Sequence, residues 1–166
     1  MVNLVVTPDF VACHVPSYLE KYDMLKGLKD GGTFLLNSIW DEEETINHLP
    51  NHMKKYMAEH KINFYIINAT KLAQEIGLGN RTNTIMQSAF FKITEVIPYE
   101  MAVDQMKAAI VKSYGRKGEH IVNMNYAAVD AGGKNVVKVD VPVEWKDIEV
   151  AESEESNRPE YIAKVV

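Results

Sequence analysis

Short, continuously apolar runs alternate with amphipathic stretches along most of this chain. Phe10–Val15, Thr33–Asn37 and Ile62–Asn68 carry apolar centres of strand length, bounded by polar or turn-forming residues. Runs of that kind suit parallel strands covered on both faces. Met1–Val6 is short and rich in valine, and predicts a further strand. Val136–Val141 alternates like a half-exposed strand, and Pro142 limits further pairing.

Between the strands the apolar period lengthens to that of helices. Ser17 is a fitting cap for a helix to about Leu28, with Tyr18, Tyr22, Leu25 and Leu28 on one side and Asp30-Gly31-Gly32 as its stop. Asp41–Glu44 places acidic residues in the first turn of a helix reaching about His60, with Pro50 as a break or restart. Helices follow over Thr70–Ile76, Thr82–Ile93, Tyr99–Tyr114 and His120–Ala131, the last expected to end at Gly132-Gly133. The order β-β-α-β-α-β-α-α-α-α-β predicts an α/β fold, a Rossmann-like parallel sheet with helices on its faces.

Composition narrows the function classes. The 166 residues suffice for a core of ordinary size, and a net charge of −5 gives no basic surface for nucleic acid. One cysteine, Cys13, cannot build a disulfide framework, a zinc site or a cysteine-ligated iron–sulfur cluster within the chain. Cys13 reads as a small buried hydrophobe. No apolar run approaches the ~20 residues of a membrane span, and no signal peptide is readable, so a cytoplasmic location without membrane or nucleic-acid partners is expected. From Lys146 the chain turns acidic, which predicts a linker or wrapping arm rather than core.

Candidate chemistry concentrates in Ile76–Ile93, I-G-L-G-N-R-T-N-T-I-M-Q-S-A-F-F-K-I. Gly77, Gly79, Asn80, Arg81 and Thr82 form a tight loop before a helix. As a strand–loop–helix junction it would offer free amides and a guanidinium to an anion. The same residues also make an ordinary turn, with glycines at unusual dihedrals and Asn80 or Thr82 as cap. The dinucleotide fingerprint needs a third glycine where Thr82 stands, and a short helix intervenes after the strand. His48 and His52 have i, i+4 spacing, but Leu49 replaces the glutamate of a hydrolytic zinc helix and Pro50 distorts it, so both are expected to face solvent. His14 closes a strand, where open α/β sheets present residues to a ligand crevice. Asp41–Glu44 fits a solvated first turn better than a cation site. The stripe Ile85, Met86, Ala89, Phe90, Ile93 reads as core packing.

Four segments resemble the third, γ-type domain of the pyruvate:ferredoxin (flavodoxin) oxidoreductases: Asp9–His14 (D-F-V-A-C-H), Lys21–Ser38, Ile76–Ile93 and Met106–Gly118 (M-K-A-A-I-V-K-S-Y-G-R-K-G). Asn157–Ile162 (N-R-P-E-Y-I) resembles the linker to the next domain of those enzymes. The resemblance implies an enzyme, usually a homodimer, that converts pyruvate and coenzyme A to acetyl-CoA and carbon dioxide and reduces ferredoxin or flavodoxin. It implies thiamine diphosphate, Mg²⁺ and iron–sulfur clusters, all bound by other domains. The family's γ-type domain opens with a glycine-rich strand–loop–helix section that has no counterpart here. Residues 1–145 are therefore expected to be part of one such domain, truncated at its N-terminus, and 146–166 a linker or tail. Two other classes stay open on the residues: a free-standing Rossmann-like nucleotide-binding module using Gly77–Thr82, and a purely structural interaction domain.

Overall fold

A computed structural model describes residues 4–6, 9–21 and 24–150. The chain divides into two compact units, the first built from residues up to Ile66 together with those from Val137 onward, the second from Ile67–Val136.

The first unit holds a five-stranded sheet in the order β1-β2-β3-β4-β5. Its strands are β1 Leu4–Val6, β2 Phe10–Cys13, β3 Thr33–Asn37, β4 Asn63–Ile67 and β5 Val137–Val139. β2 and β3 are parallel, with Phe10 opposite Thr33 and Cys13 opposite Leu36. Asn63 N donates to Gly32 O at 2.8 Å, joining the start of β4 to the start of β3, so these neighbours also run in one direction. The three apolar runs thus form the parallel centre that their composition predicts. Both outer strands are antiparallel to it: β1 pairs with β2, Leu4 opposite Cys13, and β5 with β4, Ile66 opposite Val137. The sheet is therefore mixed. Strands this close in sequence can pair antiparallel, whereas a parallel pair needs a crossover of a dozen or more residues.

Side-chain alternation sets the core. Val11, Cys13, Phe34, Leu36, Phe64 and Ile66 share one face and meet Leu19, Leu49, Met53 and Met57, all buried. Phe34 and Phe64 stack with ring centroids 5.4 Å apart. Ala12 and Leu35, on the alternate positions, are buried as well.

The helices between β2 and β4 depart from expectation in two places. α1 covers only Tyr18–Lys21. Met24–Leu28 is non-helical, and Gly27 adopts φ +88°, yet Met24, Leu25 and Leu28 are all buried. Their spacing reflects burial in a loop that wraps the core, which periodicity does not distinguish from a helix. The region after Trp40 splits at Leu49-Pro50 into α2 Glu42–His48 and α3 Asn51–Glu59. Asp41 caps α2 through its Oδ1, 2.8 Å from Glu44 N, so the acidic run is a solvated first turn. Pro50 holds the extended conformation that precedes α3.

The second unit is helical: α4 Ala69–Ile76, α5 Asn83–Thr94, α6 Tyr99–Tyr114 and α7 Glu119–Asn135. α7 does not stop at Gly132-Gly133 but runs through both. A Cβ on Gly132 would collide with Ile85 O and lie 2.7 Å from Ser88 Cβ, and one on Gly133 would strike the Tyr99 hydroxyl. These glycines let α7 lie directly on α5 and on the start of α6. Ser88, fully buried, bonds Val129 O at 2.5 Å and the Tyr99 hydroxyl at 3.0 Å at this contact. Ile85, Met86 and Ala89 are buried and Phe90 and Ile93 partly so, matching the predicted stripe. The expected tail, from Lys146, starts inside a 3₁₀ turn over Val143–Asp147, in which the preceding Trp145 packs against the sheet core, whereas residues 151–166, including Asn157–Ile162, lie outside the described residues.

Candidate functional site

The carboxyl ends of β2 and β3 carry a linked set of polar side chains. His14 leaves β2, and its carbonyl accepts from Asn37 Nδ2 at 3.0 Å, tying the two strand ends together. Desolvation of the partly buried His14 ring lowers its pKa, so it is held neutral. Cys13 is buried, its thiol donating to Val15 O at 3.0 Å, and burial pushes its pKa up to about 12. Such a thiol is no nucleophile at neutral pH.

Beyond β3 a hydroxyl pair fixes the turn. Ser38 Oγ and Thr45 Oγ1 lie 2.6 Å apart, and Trp40 N donates to Ser38 Oγ at 3.2 Å. This arrangement orients Trp40, whose ring stacks on His48 at 3.7 Å and 6°. His48 Nδ1 donates to Glu44 O at 2.8 Å, which fixes its tautomer. Against the stack opens a pocket of ≈ 390 Å³ with Val15, Pro16, Leu19 and Ile39 as apolar lining. Its volume falls within the range of small-ligand sites, and its few polar groups can orient rather than react. Of these residues the sequence singled out only His14 as crevice-facing. Trp40, Ser38 and Thr45 gave one signal, a tryptophan three residues after a buried strand.

The paired histidines are separated. His48 lies on α2 and His52 on α3, so Pro50 removes the helical spacing that would bring them to one metal. His52 is buried, contrary to its expected exposure, because it falls on the inward face of α3 beside Met53. His60 ends α3, its Nδ1 2.5 Å from Asp30 Oδ1, and joins the Gly31 turn through a 2.8 Å bond from Gly31 N to His60 O.

The glycine loop belongs to the second unit and joins two helices rather than a strand and a helix. Gly77 caps α4 at φ +103°, and Leu78 N bonds Ala73 O at 2.8 Å, closing a Schellman turn. The buried Leu78 anchors the turn, while Gly77, Gly79, Asn80 and Arg81 are exposed and Thr82 partly buried. Gly79 has φ +65°, with open space where a Cβ would stand. Arg81 Nε donates to Leu78 O at 3.2 Å, and among the described residues Arg81 forms no ion pair. Thr82 occupies the cap position of α5 without a side-chain cap bond.

Comparison with known proteins places this arrangement. The pyruvate oxidoreductase subunit PORC of Thermotoga maritima shares the α/β fold: its crystal structure superposes with a TM-score of 0.64 at 20% identity, over 82% of this chain and 67% of that one. The sequence matches the family described as pyruvate ferredoxin/flavodoxin oxidoreductase over residues 3–134. The chain belongs to that family. It is 48% identical over 164 residues to a pyruvate:ferredoxin oxidoreductase of Moorella thermoacetica, covering 98% of this chain and 14% of that protein. A pyruvate-flavodoxin oxidoreductase of Enterobacter agglomerans is 51% identical over 146 residues, covering 88% of this chain and 12% of that protein. The chain thus spans roughly an eighth of the length of these curated relatives. No helix among the described residues is long and apolar enough to cross a membrane.

Proposed function

We propose that this chain is the γ-type portion of an oxidoreductase that decarboxylates pyruvate, transfers the acetyl group to coenzyme A and passes the released electrons to ferredoxin or flavodoxin. The supporting observation is the family match over residues 3–134, with relatives 48% and 51% identical of which it forms 14% and 12%. On this reading residues 1–145 are the domain body and 146–166 the linker to the next domain. The enzyme is a cytoplasmic homodimer, and the partners of this portion are the other domains of the same protein.

Thiamine diphosphate, Mg²⁺ and iron–sulfur clusters would supply the carbanion and electron chemistry of such an enzyme. This chain's own donors do not fit a cysteine-ligated cluster. A cluster takes several cysteine thiolates, whereas the lone Cys13 is buried with its pKa pushed up to about 12. The role of the portion is accordingly structural and interdomain, and it carries no catalytic residue.

Within that role, Gly77, Gly79, Asn80, Arg81 and Thr82 face a neighbouring domain or a phosphate of coenzyme A. Two features support this: Arg81 is exposed, bonded only within its own loop among the described residues, and Gly79 has open space beside it. The loop's place between two helices weighs against the free-standing nucleotide module, whose fingerprint follows a strand. The test compares the chain alone with the intact enzyme. Supplied with pyruvate, coenzyme A, thiamine diphosphate, Mg²⁺ and ferredoxin, the chain alone reduces no ferredoxin; turnover would overturn the reading. In the intact enzyme Arg81→Ala raises KM for coenzyme A or weakens domain assembly. Unchanged values of both would remove the loop from the contact surface.

A further inference from the structure

β5 leaves one edge of the sheet unit without a partner. Beyond it no further strand joins the sheet among the described residues. A groove of ≈ 290 Å³ borders that edge, with Lys138, Val139, Asp140 and Val141 in its lining. The strand and the residues after it read V-K-V-D-V over Val137–Val141, and Pro142 follows. Val139 is buried and Val141 packs partly buried against the sheet core, so these valines belong to the inner face. Lys138 and Asp140, at the alternate positions, are exposed. Neither forms an ion pair with a described residue; Lys138 lies 6.0 Å over the ring of Tyr65, its neighbour on β4. An edge of this kind offers backbone groups to another strand. The side-chain pattern decides which strand fits.

We propose that the partner is β5 of a second copy of this chain, paired antiparallel about a two-fold axis at Val139. A two-fold contact is self-complementary: where one residue meets a second, the second meets the first. In this register Lys138 stands opposite the second copy's Asp140, and Asp140 opposite its Lys138, both pairs on the outer face. Val137 stands opposite the second copy's Val141 on the inner face. The neighbouring registers fail. Centring the axis on Lys138 or Asp140 sets like charges face to face, which destabilises an antiparallel pair. A slip of one residue brings an outward lysine or aspartate against an inward valine. Pro142 lies just past the last pair, where its missing N–H stops the ladder from spreading along the edge. A ladder this short makes a small interface, so the association is weak, with a dissociation constant of roughly 0.1–1 mM. The pairing rests on this edge alone and requires nothing of the reaction proposed above.

Sedimentation equilibrium of the full chain at low salt, taken to about 1 mM, tests it. A monomer–dimer equilibrium is expected, and a chain that stays monomeric throughout overturns the proposal. Charge reversal then tests the register. Lys138→Asp sets aspartate against the second copy's Asp140 at both ends of the ladder, and Asp140→Lys sets lysine against its Lys138. Each variant alone should dimerise about tenfold more weakly than the parent. Both side chains are exposed, so the melting midpoints should stay near the parent's. An equal mixture of the two variants should recover the parent's dimerisation, because each supplies the charge that the other lacks. The chain carrying both Lys138→Asp and Asp140→Lys should recover it by itself. Recovery in the mixture cannot come from a folding defect, which mixing would not repair. A dimer indifferent to either single reversal places the contact elsewhere on the molecule, and variants that stay monomeric when mixed refute the pairing of Lys138 with Asp140; both results overturn the proposal.

Discussion

The two units solve packing in opposite ways. In the sheet unit large side chains fill the space between elements: Phe34, Phe64, Met53 and Met57 are all fully buried. In the helical unit the tightest contact is made by what is missing, at Gly132 and Gly133 of α7, where α5 and Tyr99 occupy the place of a Cβ. The sheet unit is therefore held by volume and the helical unit by close backbone approach. The first should be sensitive to truncation and the second to the addition of a single methyl group.

Truncating Phe34 to alanine should have the largest effect. It removes a fully buried ring stacked on Phe64, and a loss of about 3–5 kcal/mol is expected from urea unfolding. A loss under about 1 kcal/mol would mean that the site collapses and that volume is not what holds this unit. Gly132→Ala comes next, at about 1–3 kcal/mol, because the backbone of α5 must move away from the new methyl. Were the glycine merely a weak helix residue, alanine would stabilise α7 by about 0.5–1 kcal/mol instead. The sign of that single measurement separates close packing from propensity. Arg81→Ala should change the chain's own stability by less than about 0.5 kcal/mol, as an exposed side chain bonded only to its own loop. A larger loss would make the loop a folding device.

The smallest effect is a slope with pH. His14 has its pKa lowered by burial, so the unfolded chain takes up a proton more readily than the folded one. Its contribution is present above the ordinary value of 6.5 and is lost as pH falls through the lowered value. His14→Gln should therefore flatten the decline of stability as the pH is taken down from the ordinary value of 6.5 through the lowered one. Identical slopes in the two proteins would show that the ring protonates as freely in the folded state as in the unfolded one.

Much of the sheet unit was legible because its three central strands combine apolar centres with strand length. Their neighbours were less so. Tyr18, Leu25 and Leu28 have helical spacing, but the structure uses Leu25 and Leu28 in a loop over the core. Burial creates apolar periodicity in either conformation. Gly132-Gly133 reads as a helix stop because local sequence holds no sign of a partner helix, and only the fold reveals that α5 lies against them. The orientation of β1 and β5 depends on pairing across the sheet, which no strand carries in its own pattern. At the candidate site His14 was visible from its place at a strand end. The Trp40–His48 stack was not, because it arises from a turn held by Ser38 and Thr45 and from α2 bringing His48 back. The Gly77–Thr82 loop was visible as a turn, and its setting between helices followed from the intact α4.

The pairing of Ile66 with Val137 has a consequence for how the molecule is assembled and how it can be rebuilt. The sheet unit is discontinuous in sequence, and the whole of residues 67–136 is spliced between two residues that face each other on adjacent strands. During synthesis the final strand reaches its berth only after the entire helical insert has emerged from the ribosome. Closing so long a loop is entropically slow, and an insert already folded into its own helices brings the two strand ends together at less cost than a random coil would. The same geometry makes the helical unit removable in principle. A two-residue Asn-Gly turn joining Ile66 to Val137 would convert the splice into an ordinary β-hairpin.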